Sequence, residues 1–301
     1  MPALPIPGAG DTLSRWRILA SIASSDLCLV KVLEAHYDAA AILQEIGDAL
    51  VTPGELWAVW AAEPPGLALE YTETGDGCGV IHGTKAWCSG ANLVSHALIT
   101  TRTGEMRQLV QVDLRAAGIS DPAESWPAVG MSRVVSGSLV FDGTPARRIG
   151  EAGAYLARPG FWHGGAGIAA CWFGGAQAIA ETLRVHAKAG KDPHASAHLG
   201  VVDTQLTAGR ALLRELAAKI DRAPQQAHMH DVILARSFIE RIATETLDRV
   251  GRALGAGPLC TDRAHAVRCA DLTVFLRQSH AERDWAALGI DASTQEDRWT
   301  L

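Results

Sequence analysis

The most constraining feature of the sequence is the run from Pro159 to Ala180, which contains no charged side chain. A helix that spans a bilayer needs about 20 apolar residues, and this run is long enough. It also holds six glycines together with His163 and Gln177, and polar side chains are costly in the hydrocarbon core. We therefore predict a helix buried at the centre of a helical bundle, and no membrane span.

The pattern of apolar residues divides the 301-residue chain into three zones. Residues 11–50 have apolar positions compatible with helical turns. Residues 55–149 are rich in β-formers, and turn chemistry at 74–77 separates two of the segments. From about residue 155 the spacing is helical again and indicates four helices, the number for a bundle. The four predicted helices are 161–189, 199–220, 231–254 and 262–288.

Charge and cysteine content exclude some classes of protein. The chain has 33 acidic and 27 basic residues, a formal net charge of −6, whereas nucleic-acid binders usually carry a basic excess. Its six cysteines are scattered and form no Cys-x-x-Cys pair, which argues against a disulfide scaffold. The N-terminal segment lacks the basic and apolar regions of a signal peptide. We expect a cytoplasmic protein that binds neither nucleic acid nor a membrane.

Three binding or catalytic motifs are incomplete or absent. Residues 165–170 read G-x-G-x-x-A, but no strand precedes them, so we interpret them as small residues that let helices approach closely. His194 and His198 are four positions apart, but the segment lacks the glutamate of H-E-x-x-H, and we expect no metal site. No G-x-S-x-G segment marks the nucleophile of a serine hydrolase.

A set of segments in the right order resembles the acyl-CoA dehydrogenase superfamily. Residues 83–91, GTKAWCSGA, are similar to the family's G-x-K-x-[WY]-[IV]-[TS]-[NG]-[GA] segment. Residues 129–133 and 139–143 resemble the end of its β-domain, and 255–289 resemble its closing helices. The resemblance covers about residues 20–290 and implies an α+β fold of three domains. These are short N-terminal helices in 1–53, a middle antiparallel β-barrel in 54–150 and a C-terminal four-helix bundle in 151–301.

The resemblance also implies a cofactor and an assembly. The cofactor is FAD, held between barrel and bundle with help from a partner subunit, and the assembly is a homodimer or homotetramer. The positions that match the family's cofactor contacts are Trp87, Cys88, Ser89, Gly255, Gly257 and Ser279. The first three would lie against the isoalloxazine ring, with the Ser89 hydroxyl towards the ring nitrogens. The two glycines would approach the adenosine half of FAD in the neighbouring chain, and Ser279 stands where the family places a threonine near the cofactor.

Two cofactor- and substrate-binding motifs of the family are altered. Residues 61–68 keep the family's glutamate and proline as Glu63 and Pro64, but they lack two hydroxyls that usually bind flavin or the phosphate of the thioester. A hydrogen bond of this kind contributes about 0.5–1.5 kcal/mol, so affinity for the usual ligands is expected to be lower. The R-x-x-F-G motif is absent from 189–194, where Lys191 supplies a charge without a guanidinium fork.

The catalytic base is missing as well. Family dehydrogenases abstract the proton α to the thioester carbonyl with a glutamate, and Arg277 occupies that position. An alternative position of the glutamate falls in 163–166, which holds no carboxylate. Arginine stays protonated and cannot act as a base. His163 and Glu282 are candidate substitutes, and the catalytic residue remains unassigned.

The sequence leaves three functions open. The first is an FAD-dependent, acyl-CoA dehydrogenase-like oxidoreductase that acts on an acyl thioester or a related small molecule without the usual glutamate. The second is a flavin-dependent monooxygenase-type enzyme of the same fold, because Arg277 and the histidines His163 and His280 would suit a polar or anionic substrate. The third is a non-catalytic scaffold that kept the fold and lost FAD, which the missing hydroxyls motivate.

Overall fold

The chain folds into two compact units. A computed structural model describes residues 4–47, 50–121, 126–189, 192–294 and 299–300. The strand unit comprises Met1–Leu4, Lys31–Ala128 and Ser132–Phe161. The helical unit comprises Pro5–Val30, Val129–Met131 and Trp162–Leu301.

Seven strands, numbered in chain order, form one sheet in the strand unit. They are β1 Trp57–Trp60, β2 Leu69–Gly75, β3 Cys78–Lys85, β4 His96–Thr103, β5 Met106–Asp113, β6 Ile119–Ser120 and β7 Leu139–Ile149. Antiparallel pairings join β2 to β3, β3 to β7, β7 to β5 and β5 to β4. A single pair, Glu70 with Arg102, joins β2 to β4 and closes the strands into a ring. The short β6 pairs with β7.

The expectation of a purely antiparallel barrel is wrong in one respect, because the sheet is mixed. Strand β1 pairs with β4 in parallel, with Trp57 opposite His96, and the pair between β2 and β4 is also parallel. A parallel pair cannot be joined by a tight hairpin and needs a long connection. The chain between β1 and β4 runs through the whole β2–β3 hairpin, so hairpin signals in the sequence gave no indication of this pairing.

The core of the strand unit lies between the sheet and nearby helical segments. Strand β4 is buried over six consecutive residues, as expected for a strand covered on both faces. Its Leu98 belongs to a cluster of buried side chains together with Ala39, Ile42, Leu43, Trp57, Leu109, Ile149 and Tyr155.

Nine α-helices are described. They are α1 Thr12–Ser25, α2 Leu27–Ile42, α3 Ala154–Ala157, α4 Pro159–Ala189, α5 Pro193–Arg222, α6 Met229–Leu254, α7 Gly257–Thr261, α8 Arg263–Phe275 and α9 Glu282–Thr294. A π-helical turn at Leu43–Gly47 follows α2, and a 3-10 turn at Leu276–Gln278 follows α8. Asp192 caps the start of α5 by accepting a hydrogen bond from the His194 backbone N–H, the usual role of an N-terminal aspartate.

The uncharged run predicted to form a buried helix lies within α4. The dinucleotide-like residues 165–170 are helical, and Ala166, Ala169 and Ala170 are buried. A Cβ on Gly174 would stand 2.2 Å from the Ala20 carbonyl oxygen of α1, so only glycine permits this approach. The prediction that residues 165–170 are helical is confirmed, but the close helix approach occurs at Gly174, because a Cβ on Gly165 or Gly167 would come no nearer than 3.6 Å to another side chain. Within the described part of the chain, no helix is long and apolar enough to cross a membrane.

Two predicted helices are broken in the structure. The helical zone 11–50 is interrupted at Asp26, which has extended backbone angles, φ −156° and ψ 111°. The predicted helix 262–288 ends at Phe275, and a new helix begins at Glu282 after a turn in which Ala281 has φ +48°. Apolar spacing continues across both breaks, which is why periodicity alone does not reveal them.

Candidate functional site

A tight turn after β3 carries the three sequence-predicted flavin residues of the strand unit. Trp87 has a left-handed backbone, φ +59°, which costs a residue with a Cβ about 1 kcal/mol. Two backbone hydrogen bonds hold the turn: Cys88 N–H to Gly137 O at 2.9 Å and Gly90 N–H to Val135 O at 2.8 Å. The Trp87 side chain is 57% exposed. A strained backbone that presents an exposed indole is typical of a binding position.

Ser89 is half-buried beside Trp87 and carries a hydroxyl at this turn. The Ser89 and Ser136 hydroxyl oxygens are hydrogen-bonded at 2.9 Å, and the Ser136 hydroxyl also lies 3.0 Å from the Val134 carbonyl oxygen. The Ser89 carbonyl oxygen accepts from the Trp60 indole N–H at 3.1 Å, so the backbone at Ser89 is fixed. Sequence reasoning missed Ser136, because no local pattern links it to a residue 47 positions earlier.

Cys88, the second of the three predicted flavin residues, is more buried than its two neighbours. Its side chain is fully buried, and Sγ donates to the Lys85 carbonyl oxygen at 3.2 Å. Burial raises the pKa of the Cys88 thiol to about 12, so the thiol stays neutral. Cys88 can contact a ligand at this turn only through its backbone.

Lys85, the last residue of β3, has a buried amine, whereas the sequence indicates this residue only as part of the segment 83–91. It is 3% exposed, and Nζ donates to the Thr100 carbonyl oxygen at 2.7 Å and to the Thr100 hydroxyl at 2.8 Å. Burial lowers the pKa of Lys85 to about 8, although the Glu63 carboxylate partly offsets this effect.

Glu63, which matches the family's strand-end glutamate, lies three residues beyond the end of β1. Its carboxylate accepts from Arg107 Nε at 3.0 Å and from Arg102 Nη2 at 3.4 Å. The Glu63 side chain is only 16% exposed, whereas both guanidinium groups are about half exposed. The Glu63 carboxylate therefore lies between the guanidinium groups of Arg102 and Arg107.

The other three predicted cofactor residues belong to the helical unit. Gly255 ends α6 with φ +64° and ψ −158°, a conformation open essentially to glycine alone. Gly255 and Gly257 are exposed, and no atom lies within 4 Å of a Cβ added to either. Ser279 follows the 3-10 turn and is half-buried, and its hydroxyl accepts from the Ala281 backbone N–H at 3.2 Å.

Arg277, which the resemblance matches to the family's catalytic glutamate, is paired with a carboxylate from another helix. Its Nη2 donates to Glu240 Oε1 at 2.8 Å, and the Thr244 hydroxyl donates to the same oxygen at 3.1 Å. Arg277 is 63% exposed and Glu240 is 16% exposed. The sequence gave no signal for Glu240, because the contact joins α6 to the turn after α8.

The two candidate substitutes for the missing base differ in their surroundings. His163 is 2% exposed, and its Nε2 lies 2.9 Å from the Gln226 carbonyl oxygen, with the His228 ring beside it. That burial is typical of a structural histidine. Glu282 is exposed in the first turn of α9. Lys191, the predicted replacement for the partner-binding arginine, lies outside the described residues.

The predicted site residues thus fall into two groups. Trp87, Cys88 and Ser89 are brought together on one turn of the strand unit, whereas Gly255, Gly257 and Ser279 belong to the helical unit. No cluster of three or more His, Cys, Asp or Glu side chains that could hold a metal ion occurs among the described residues. The chemistry available at the turn is that of an apolar wall with a hydroxyl beside it, which suits a flat aromatic ligand with polar atoms at its edge.

Comparisons with known proteins find similarity only at the level of structure. No family profile and no curated protein sequence matches the chain. Butyryl-CoA dehydrogenase from Megasphaera elsdenii superposes with a TM-score of 0.82 at 18% identity, over 96% of this chain and 88% of that one. TdsC from Paenibacillus sp. A11-2, crystallised with FMN and indole, gives 0.78 at 19% identity, over 91% of this chain and 81% of the other.

A third similar structure is the nitrososynthase from Micromonospora carbonacea var. africana. It superposes with a TM-score of 0.79 at 17% identity, over 97% of this chain and 83% of that one. TdsC is described as a dibenzothiophene monooxygenase, so similar structures include both a dehydrogenase and a monooxygenase. The predicted resemblance is confirmed for the fold: the chain has the mixed helix-and-sheet fold of the acyl-CoA dehydrogenases.

Proposed function

We propose that this protein is a flavin-dependent oxidoreductase acting on a small molecule. The observation that carries the proposal is the turn after β3, where the strained backbone of Trp87 presents an exposed indole next to the half-buried Ser89 hydroxyl. Strain of this kind is retained when the residue contacts a ligand. The domain layout that goes with this function is helices in 1–53, a barrel in 54–150 and a four-helix bundle in 151–301.

FAD is the cofactor we propose, and the residues present fit part of it. The Trp87 indole would stack on the ring system, and the Ser89 hydroxyl would donate to an acceptor atom at its edge. Gly255 and Gly257 leave open space for the adenosine half of a cofactor in a homodimer or homotetramer. Bound flavin supplies two-electron redox chemistry that no side chain provides. FMN, present in the TdsC crystals, is the alternative cofactor, and chromatography of the cofactor released from the protein distinguishes it from FAD.

The proposed reaction is dehydrogenation of an acyl thioester or a related small molecule. Arg277 limits this proposal. It matches the position of the base that removes a proton α to the thioester carbonyl, and its guanidinium forms an ion pair with Glu240. A base of this kind must reach the proton that it removes. Glu240 supplies a carboxylate in this region, and that carboxylate is hydrogen-bonded to Arg277.

A monooxygenase-type reaction is the second candidate, and the same ion pair favours it. Such a reaction needs no carboxylate for removal of an α-proton, and an exposed guanidinium at this place would attract an anionic or polar substrate. The six cysteines form no disulfide, which suits an enzyme of the reducing cytoplasm in either case.

The test begins with the visible absorption of the purified protein and with chromatography of any released cofactor. Under the proposal the protein binds FAD, carried through purification or added afterwards. Reduction of the bound flavin by an acyl-CoA panel without oxygen would support dehydrogenation. Oxygen uptake that needs a flavin reductase and NADH would support monooxygenation. A colourless protein that takes up neither FAD nor FMN would contradict both reactions and leave the non-catalytic scaffold.

A further inference from the structure

A groove between α4 and α5 contains none of the residues assigned to the flavin. It has a volume of about 250 Å³, is open to solvent along one side, and lies wholly within the helical unit. Its apolar lining consists of Phe173, Ala180, Leu199, Val202 and Leu206. Phe173, Leu199 and Leu206 are only half-buried, so a partner that covers the groove would remove more of their apolar surface from water.

The outer face of α5 beside this groove carries mostly small side chains. Seven residues between positions 200 and 211 are exposed, and the five small ones, which we call the α5 ridge, are Gly200, Thr204, Thr207, Ala208 and Ala211. The Thr204 hydroxyl donates to the Gly200 carbonyl oxygen at 2.8 Å, so it is satisfied within its own helix. The solvent face of a helix usually carries charged and polar side chains, whereas small ones let a second helix approach to about 8 Å.

The other two exposed residues of this face, Asp203 and Arg210, carry opposite charges. Neither forms an ion pair within the part of the chain that the structure describes, and both line the groove. They are seven positions apart, which puts them on the same face of the helix, about 10 Å apart along its axis. On the α4 side of the groove, Glu181 and Arg184 already neutralise each other, with Arg184 Nε 2.6 Å from Glu181 Oε2.

We propose that a second copy of this chain covers the groove, with the two α5 helices antiparallel across a two-fold axis between Leu206 and Thr207. In this arrangement Asp203 faces the partner's Arg210, and Arg210 faces the partner's Asp203. The α5 ridge of each copy lies against the groove of the other, and both apolar linings become buried. Contacts that repeat reciprocally in this way are those of a self-complementary, two-fold interface.

The partner is a copy of this chain because α5 itself supplies the ridge and both of the complementary charges. The inference rests on the homodimer or homotetramer of the proposed function, and it assigns one contact surface of that assembly. The contact itself needs no flavin.

The test is sedimentation velocity of the full chain, without added flavin, for the wild-type protein, Asp203→Arg and Arg210→Asp. Each variant places like charges opposite each other twice in the interface, two arginines in the first and two aspartates in the second. Because such contacts are repulsive, we expect each variant to associate at least about tenfold more weakly than the wild-type protein. If the wild-type protein is a tetramer, the variants should sediment as dimers.

A mixture of the two variants supplies the decisive comparison. One copy then carries arginine at both positions and the other carries aspartate at both, so every arginine faces an aspartate. The mixture should associate as tightly as the wild-type protein, a recovery that a folding defect cannot produce. Asp248→Arg, which reverses an exposed aspartate on α6, is the matched control and should associate as the wild-type protein does.

Three results would overturn the inference. They are a wild-type protein that stays monomeric at every concentration, a charge-reversed variant that keeps the wild-type dissociation constant, and a mixture that stays dissociated. A groove that instead binds a small molecule or a different protein would give one of these results. A protein that associates as expected but binds neither FAD nor FMN would contradict the proposed function and support this interface.

Discussion

Arg277 and Glu240 form an ion pair of 2.8 Å that joins the turn after α8 to α6. By the sequence resemblance we expect the arginine at the position of a catalytic glutamate, and the carboxylate of this region comes from another helix. Glu240 is the more buried partner and accepts a second hydrogen bond, from Thr244. The local charge is therefore balanced, and the protein has no unpaired glutamate at this position to act as a base.

The ion pair should contribute little to folding. Because Arg277 is largely exposed, we expect Arg277→Gln to change the free energy of unfolding by less than about 1 kcal/mol. Urea denaturation measures this directly. Arg277→Glu should destabilise the protein slightly more, because two carboxylates would then face each other and the pKa of one would rise.

The same two variants test the reaction. A carboxylate of raised pKa in Arg277→Glu should allow measurable anaerobic reduction of bound flavin by an acyl-CoA, whereas Arg277→Gln should not. Equal behaviour of the two variants would show that position 277 does not face the substrate.

The backbone at Trp87 gives a second prediction. Glycine adopts φ +59° without strain and alanine does not, so Trp87→Gly should be more stable than Trp87→Ala by about 1 kcal/mol. Both variants should bind flavin more weakly than the wild-type protein, because both lose the indole. Trp299, which is 88% exposed, supplies the control, and Trp299→Ala should leave flavin affinity unchanged. Normal affinity in Trp87→Gly would argue against a cofactor at this turn.

Close helix packing in the helical unit gives a third prediction. Gly174→Ala would place a methyl group 2.2 Å from the Ala20 carbonyl oxygen, so α1 and α4 would have to separate. We expect a loss of about 1–3 kcal/mol in the free energy of unfolding. Gly200→Ala is the matched control on α5, where nothing lies within 4 Å of the new methyl group. That variant should gain up to about 1 kcal/mol from helix propensity. Equal thermal stability of the two variants would contradict this packing.

The buried amine gives a prediction about pH. The pKa of Lys85 is about 8 in the folded chain and 10.5 for an ordinary lysine, so folding disfavours the charged form. This penalty is fully present below pH 8 and disappears as the pH rises to 10.5. Relative to Lys85→Met, the wild-type protein should therefore gain about 3 kcal/mol of stability across that interval. Denaturant titrations measure the difference, and parallel curves for the two proteins would place the pKa of Lys85 near its ordinary value.

Much of the fold could be predicted from local patterns. The β-formers of 55–149 and the apolar spacing after residue 155 predict strands and helices where the structure has them. The segment 165–170 was correctly assigned to a helix, because a dinucleotide site needs a preceding strand. The break at Asp26 and the parallel pairing of β1 were missed. Apolar spacing continues through the break at Asp26, so periodicity does not reveal it. The parallel pairing of β1 depends on contacts between segments that are distant in sequence.

The site was less predictable than the fold. The resemblance predicts that Trp87, Cys88 and Ser89 lie against the cofactor, but it does not indicate that the Cys88 side chain is fully buried. Pairings such as Ser89 with Ser136 and Arg277 with Glu240 join residues far apart in sequence, so no spacing rule indicates them. The low pKa of Lys85 arises from burial, which only the closed ring of strands reveals.

The most direct test of the proposed function is calorimetric measurement of the binding of FAD and FMN to the purified wild-type protein and to Ser89→Ala. We predict saturable binding of a flavin to the wild-type protein. Loss of the Ser89 hydroxyl should weaken it about 2- to 13-fold, the equivalent of one hydrogen bond of 0.5–1.5 kcal/mol. Ser95→Ala, elsewhere in the strand unit, should bind as the wild-type protein does. Absence of binding by both flavins, or equal affinity in wild type and Ser89→Ala, would contradict a flavin site at this turn.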